Sequence, residues 1–323
     1  MTAPAWVRPA SVSDAVAAAG RPGAWYVAGG TEVANWLRDG LLPAPGRLVD
    51  LAAVPIAGVT HENGMIRIGA ASRLADLAAA PLIRSSLPAF AEAIDSSASP
   101  AIRHMASVAG NLLQATRCPY FRGRAAACNR IRPGSGCGAL GGDHRHGGLL
   151  GTDDRCVAVH PSDPAVALLG LDAEVLVAGA AGERRIALGS LWSPDSVAAP
   201  TLAPGELITA IEVPAGPLAE TGRYRKVRDR ASFEFALVAA AVHSRVEDGR
   251  FAAVSIALGG LAPRPWRCRT AEAALQGGAA TAAAVRAAVA AELAGARPLP
   301  GNAFKAELAA GAVLRAFGTE VGA

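Results

Sequence analysis

Apolar positions along this chain keep two rhythms, and the changes between them outline its elements. Ser11 to Ala19 repeats at helical spacing, with Ser11 or Ser13 as the cap, and Trp25 to Ala28 is a short apolar run of strand type. That run leads into Gly29-Gly30-Thr31-Glu32, a helix from Val33 to Asp39 stopped by Gly40, and a second strand from Leu48 to Leu51. Strand, helix and strand at this spacing predict a small β–α–β unit. A further strand is expected at Met65 to Gly69, then helices at about Ser72 to Ala80 and Pro88 to Ile94. Periodicity then fails from Ser96 to Pro161, a length of irregular chain that is uncommon in a compact domain and usually functional.

Regular patterning resumes with a helix at Asp163 to Leu169 and strands at Glu174 to Ala178 and Leu207 to Val213. Residues 214–217 read as a linker, so one domain is expected over 1–217, with subdomains of about 1–55 and 56–217, and a second over 218–323. In the second, Arg223 to Val227 and Phe251 to Gly259 read as strands, and Phe235 to Ser244 fits a strand or a helix. Helices are expected at about Thr270 to Leu275, Thr281 to Ala294 and Ala303 to Phe317.

Composition narrows the function classes. The 323 residues are 51% hydrophobic but only 5% aromatic, with abundant Ala and Gly, which suits close helix–strand packing. A net charge of +4, spread along the chain, gives no nucleic-acid surface. Met1 to Pro9 lacks the apolar stretch of a secretory signal, and no run is long and apolar enough to span a bilayer. The expectation is a chain that folds in the cytoplasm and either stays there or reaches the periplasm with a signal-bearing partner.

Four of the five cysteines, Cys118, Cys128, Cys137 and Cys156, lie in the irregular stretch among glycines, prolines, arginines and histidines. The intervals are long and lack the close pairs of zinc ribbons. Four thiolates are also the ligand set of a [4Fe–4S] cluster, whose ligands come from widely spaced positions. By spacing alone an iron–sulfur cluster and a structural zinc both stay open, with two disulfides a weaker third. Cys268 stands apart as a lone thiol.

Other segments carry weaker signals. Val27 to Glu32 ends a strand in paired glycines at a helix start, where backbone N–H groups can approach a phosphate, although an ordinary glycine turn explains it equally. Ala106 to Leu112 is a second stretch of small residues with a hydroxyl and an amide, compatible with a pyrophosphate or with a tight turn. Asp163 reads as a helix cap or as an acceptor for a ligand hydroxyl. Tyr224 to Arg230 is a basic patch that faces either a ligand or solvent, and the five tryptophans read as core or subunit-contact residues. The histidines form no metal-ligand pair at helical spacing, and no nucleophile–base arrangement is evident.

Together these segments resemble the FAD-binding medium subunit of the xanthine dehydrogenase family of molybdenum hydroxylases, over nearly the whole chain. Ile68-Gly69-Ala70, Leu74 to Leu77, Pro204 to Ile208 with Ile211 to Pro214, Tyr224 to Val227 and Gly301 to Lys305 share in the likeness. The most specific part is Asn111 to Gln114 with Thr116 to Arg122, Cys128-Asn129, Pro133 to Cys137 and Cys156 to Asp163, which resembles the aldehyde oxidoreductase branch. The resemblance implies an α+β architecture: a two-subdomain FAD-binding fold of the vanillyl-alcohol-oxidase/PCMH type, then an α+β C-terminal domain of the CO dehydrogenase flavoprotein type. It implies a [4Fe–4S] cluster on a loop at about 113–160, held by Cys118, Cys128, Cys137 and Cys156. It places Val27, Ala28, Gly29, Gly30, Thr31, Glu32 and Val33 along the FAD diphosphate, with Ser107, Gly110 and Asn111 opposite. Asp163 then lies near the ribityl chain and Lys226 near the flavin. The implied role is electron transfer in a heterotrimeric aldehyde oxidoreductase, beside a molybdopterin large subunit and a [2Fe–2S] small subunit, toward an external acceptor. A 4-hydroxybenzoyl-CoA reductase-like subunit with reversed electron flow and a non-redox, zinc-stapled binding protein are the rivals. Two positions depart from the family pattern, Ala109 where glycine is usual and His104 where asparagine is usual. The Ala109 methyl is a concern if that position needs positive φ.

Overall fold

A computed structural model describes residues 4–41, 43–197, 200–318 and 321–322. The first of three sheets is parallel: β1 (Ala5–Val7), β2 (Ala24–Val27) and β3 (Arg47–Asp50), in the order β1-β3-β2. The helix Val12–Ala19 joins the first two strands, and Ser11 is its cap, its hydroxyl accepting from the Asp14 amide at 3.1 Å. The helix Val33–Asp39 crosses back to β3 and stops at Gly40, whose φ of +59° is left-handed. The expected β–α–β unit is therefore present. β1 is an extra edge strand, too short and too exposed to leave an apolar signature.

The second sheet contains β4 (Val59–Glu62), β5 (Met65–Gly69), β6 (Glu174–Gly179), β7 (Gly182–Ala187) and β8 (Leu207–Pro214). Their order is β4-β5-β8-β6-β7, antiparallel throughout. Alternation sets its faces. Ile66, Ile68, Ile211 and Val213 are buried, while Arg67 reaches Glu212 across the strands at 2.8 Å and Arg185 of β7 pairs with the same carboxylate. The edge strands β4 and β7 are mostly exposed and polar, which is why the apolar pattern passes over them.

The third sheet has β9 (Arg223–Val227), β10 (Val238–Glu247), β11 (Arg250–Gly259) and β12 (Trp266–Arg267), in the order β12-β11-β10-β9. The run that fitted either strand or helix is thus a strand. Its two faces enter two cores. Ala239 and Ala241, with Ala257 opposite, join the core that holds Val49, Ile66, Phe90 and Leu168. Val238, Ala240 and Val242, with Ile256 and Leu258, pack against Val285, Val289, Val313 and Phe317 from the helices Ala282–Glu292 and Lys305–Phe317. Small alanines on the first face let the helix Asp163–Leu169 lie close to the sheet.

The stretch from Ser96 to Pro161 stays mostly irregular, broken by the short helices Pro100–Arg103, Val108–Leu112, Pro119–Arg122 and Gly138–Gly141. Local turns satisfy most of its backbone, and distant groups serve its far end. Lys305 Nζ donates to the Gly147 carbonyl at 2.8 Å, Asn302 Nδ2 to that of Gly148 at 3.2 Å, and the Gly301 N–H to His144 Nε2 at 2.9 Å. The last bond makes Nε2 an acceptor, so Nδ1 carries the proton toward the Ala139 carbonyl. Of the tryptophans, Trp6 is 57% exposed and is not a core residue, whereas Trp192 is buried edge-on against His160. No helix among the described residues is long and apolar enough to cross a membrane.

His243 on β10 is fully buried where the chain passes at Gly170 and Gly222, and neither ring nitrogen has a hydrogen-bond partner. Burial, aided by the nearby Arg267 charge, lowers its pKa from 6.5 to about 4, and the carbonyls around it offset this only in part. The unfolded chain therefore binds this proton first as pH falls, and stability is lost between pH 6.5 and about 4. The loss attributable to this residue approaches about 3 kcal/mol. Urea unfolding at pH 7 and pH 5 is expected to show it, and His243→Leu should flatten that part of the slope.

Candidate functional site

Two glycines shape the segment that follows β2. Gly29 lies directly on the backbone of Met105: a Cβ there would fall 1.6 Å from the Met105 carbonyl oxygen. Gly30 has open space around it but a φ of +71°, which L side chains rarely adopt. The helix Val33–Asp39 then begins at Glu32 with no side-chain cap on its first turn. Thr31 contributes its carbonyl to Asn35 Nδ2 at 3.0 Å.

Glu32 points toward the cysteine segment. Its carboxylate meets Arg117 Nη1 at 2.8 Å and Arg122 Nη2 at 2.5 Å, and Oε1 also accepts from Trp36 Nε1 at 3.1 Å and the Ala115 amide at 3.3 Å. Two guanidiniums on one carboxylate neutralise the negative charge that would otherwise oppose an anion here.

The second small-residue stretch is a helix, Val108–Leu112, capped by Ser107, whose hydroxyl accepts from the Gly110 amide at 3.2 Å. The amides of Val108 and Ala109 go to the carbonyls of Ser72 and Ala70, at 2.9 and 3.1 Å. This stretch therefore offers surfaces and side chains to a ligand rather than a cradle of free N–H groups. Ala109 has helical, negative φ, so its methyl brings no strain, and His104 is an exposed C-cap. Asn111 Oδ1 accepts from the Ser162 hydroxyl at 2.6 Å, tying this helix to the next one.

The Gly29–Met105 contact brings both stretches onto one trough. A cavity of about 310 Å³ is bordered by Ala28, Glu32, Val33, Ser107 and Gly110. A second, of about 280 Å³, is bordered by Thr31, Glu32, Gly110, Asn111, Arg117 and Asp163. They meet at Glu32 and Gly110, which gives an extended cleft rather than a round pocket. Val27 is buried at the end of β2 behind this cleft.

Asp163 is not the cap of its helix. That role belongs to Ser162, which accepts from the Ala165 amide at 3.1 Å. The buried Asp163 carboxylate receives Lys226 Nζ at 2.7 Å, the Tyr224 hydroxyl at 2.6 Å and the Ser97 hydroxyl at 3.0 Å. Burial, then the Asp163 charge, pushes the Tyr224 hydroxyl well above its ordinary pKa. Asp163 borders the cleft, whereas Lys226 sits behind it, committed to Asp163 and to the Ser96 carbonyl at 3.2 Å. The basic patch thus divides by strand alternation, with Tyr224 and Lys226 inward and Arg223 and Arg225 outward.

All four clustered cysteines are free thiols, and Cys128 and Cys156 are buried. Cys128 and Cys137 face each other across an isolated antiparallel bridge. Cys156 Sγ accepts from Arg130 Nε at 3.4 Å and from the Ala158 amide at 3.5 Å. Burial raises the Cys118 pKa, and nearby Cys156 and Cys128 add to the effect, so these thiols share one neighbourhood. Among the described residues, no three Cys, His, Asp or Glu side chains are arranged to hold one metal ion. Cys268 lies buried in the second core, away from this group.

The sequence marks Arg117 and Arg122 only as members of an arginine-rich segment and gives neither them nor Phe235 a place in the site. Arg122 pairs with a residue 90 positions earlier, and the Arg117 guanidinium stacks 5.1 Å from the Phe235 ring across the domains. Neither contact leaves a local signal.

Residues 2–216 match the FAD binding domain in molybdopterin dehydrogenase, and residues 223–319 match the CO dehydrogenase flavoprotein C-terminal domain. Among curated proteins, the chain is 41% identical over 264 residues to the aldehyde oxidoreductase FAD-binding subunit PaoB of Escherichia coli (strain K12), covering 80% of this chain and 81% of that one. It is 27% identical to the carbon monoxide dehydrogenase medium chain of Hydrogenophaga pseudoflava, over 96% and 94% of the two chains. Among solved structures, the cyanide-inactivated form of Cu,Mo-CO dehydrogenase superposes with a TM-score of 0.76 at 24% identity, covering 98% of this chain and 97% of that one, a likeness of fold.

The Asp163 network makes a direct prediction. Asp163→Ala leaves the Lys226 ammonium buried without its counter-charge and is expected to cost about 3–5 kcal/mol in a urea-unfolding measurement. Adding Lys226→Met should recover part of that loss.

Proposed function

Because this chain belongs to the family of FAD-binding domains in molybdopterin dehydrogenases, we propose that the cleft holds FAD and that the chain is the electron-transfer flavin subunit of a molybdenum aldehyde oxidoreductase. The observation that carries this reading is the contact of Gly29 with the Met105 backbone, which closes the stretches Val27–Val33 and Ser107–Asn111 onto one extended cleft. The cleft's shape suits a dinucleotide, and the pairing of Glu32 with Arg117 and Arg122 removes the charge that would repel a diphosphate. Val27 to Val33 would border the diphosphate, with Ser107, Gly110 and Asn111 facing it. Asp163, held by Lys226, Tyr224 and Ser97, would fix the far end.

The bound flavin would supply two-electron redox chemistry, and the protein's task is to bind it, orient it and limit water around it. That division agrees with a cleft in which the polar groups are positioning groups. Electrons would arrive from a molybdopterin large subunit through a [2Fe–2S] small subunit and leave to an external acceptor.

The four cysteines would hold a [4Fe–4S] cluster, one thiolate for each iron. Two features favour this. Cys118 has Cys156 and Cys128 nearby and Cys128 faces Cys137 across a bridge, and Cys156 Sγ already receives two N–H donors, as a cluster-ligating sulfur does. The cluster segment begins at Cys118, the neighbour of Arg117 in the cleft wall.

Purified protein tests both cofactors. Its visible spectrum is expected to show flavin bands over a broad iron–sulfur absorption, and metal analysis about four irons per chain. Zinc without flavin would sink the reading. Cys137→Ser should lose iron while FAD stays bound. Gly29→Ala forces the two stretches apart and should weaken FAD binding at least roughly tenfold in a fluorescence titration, equal to about 1.4 kcal/mol.

A further inference from the structure

We infer that Arg117 is a flavin-contact residue that sets the reduction potential of the bound FAD and ties it to the cysteine segment, an inference that rests on the flavin reading of the cleft. Arg117 stands in the wall between two spaces. On one side is the cavity shared with Thr31, Asn111 and Asp163; on the other is a cavity of about 190 Å³ bordered by Cys118, His146 and Val157.

Most of its guanidinium is accounted for. Nη1 meets Glu32 Oε2 at 2.8 Å, Nη2 donates to Gln114 Oε1 at 3.0 Å, and the plane stacks on Phe235 at 5.1 Å. The Nε–H is buried and has no acceptor, and Glu32 Oε2, the oxygen beside Nη1, likewise has no hydrogen-bond donor. Arginine cannot lose its proton to escape this cost, so a ligand acceptor brought into the adjoining cavity would relieve it. A flavin ring carries carbonyl oxygens and ring nitrogens able to fill that role.

Charge supports the same assignment. Of the charged side chains bordering this part of the cleft, Asp163 is answered by Lys226, and Arg230 and Glu234 pair with each other at 3.2 Å. Glu32 is answered twice, by Arg117 and by Arg122. The triad therefore leaves one positive charge in excess, and of its two cations Arg117 is the one that borders the cleft beside Glu32. When a flavin accepts two electrons and one proton, the ring gains one negative charge. A fixed positive charge in a partly enclosed site stabilises that product over the neutral oxidised ring.

The test is a redox titration of the full chain with its bound FAD, followed at the flavin absorption. Arg117→Met is expected to lower the preference for the reduced ring about tenfold, a downward shift of about 30 mV for a two-electron couple. Arg117→Lys keeps the charge and should return most of the shift, a rescue that loss of packing alone would not produce. An unchanged midpoint in flavin-loaded Arg117→Met overturns the proposal. If Arg117→Met purifies without FAD, Phe235→Leu is read in its place, because it loosens the guanidinium while leaving the charge. A smaller downward shift then supports the proposal, and no shift overturns it. The unmutated protein is read first: a chain without flavin bands refutes the flavin reading itself, separately from the role of Arg117.

Discussion

The carboxylate of Asp163 is the point on which both halves of the molecule close. It is buried, and it accepts at once from Ser97 after the helix Pro88–Asp95, and from Tyr224 and Lys226 on β9. An ionised group survives in such a place only when paired and fully hydrogen-bonded. Three donors from two sides meet that condition, and in meeting it they fix the C-terminal sheet against the helix Asp163–Leu169.

Glu32 does for the other side what Asp163 does for this one. Its pairing with Arg117 and Arg122 joins the β2 turn to the start of the cysteine segment. The far end of that segment is anchored by Lys305 and Asn302 to the carbonyls of Gly147 and Gly148. Buried backbone groups need partners, and a long stretch without regular structure must find them outside itself. Here local turns supply most of them, and at Gly147 and Gly148 they come from side chains over a hundred positions away. The cysteines thus sit in a frame held at both ends by the protein's own polar contacts.

Much of the fold was legible in the sequence. The Val33–Asp39 helix with its Gly40 stop, β5, β8, β9, β11 and the helix Asp163–Leu169 follow from apolar period, glycine and cap residues, which act locally. Ser11 against Ser13, and strand against helix for Phe235 to Ser244, stay open in the sequence because neighbouring residues satisfy both choices. The edge strands β1, β4 and β7 were passed over because an exposed edge needs no apolar face. For the site, the sequence marked Gly29, Gly30, Ser107, Asn111, Asp163 and the four cysteines by residue type and flank.

Roles within the site were another matter. Asp163 reads in the sequence as a helix cap or a ligand acceptor and Lys226 as a residue near the flavin, and neither reading shows that the two are partners, because it is β9 that brings Lys226 within 2.7 Å of a residue 63 positions earlier. Glu32 reads as part of a phosphate loop, and in the fold it borders the cleft while its carboxylate also meets two arginines of the cysteine segment. The sequence by itself determined the elements, the cysteine group and the small residues where backbones must approach. Only the tertiary structure decided which charges cancel and which donor of a cleft-wall residue, the Arg117 Nε–H, is left without an acceptor. Periodicity and turn chemistry are set by residues a few positions apart, whereas ion pairing depends on distances of a few ångströms that the whole fold must first create.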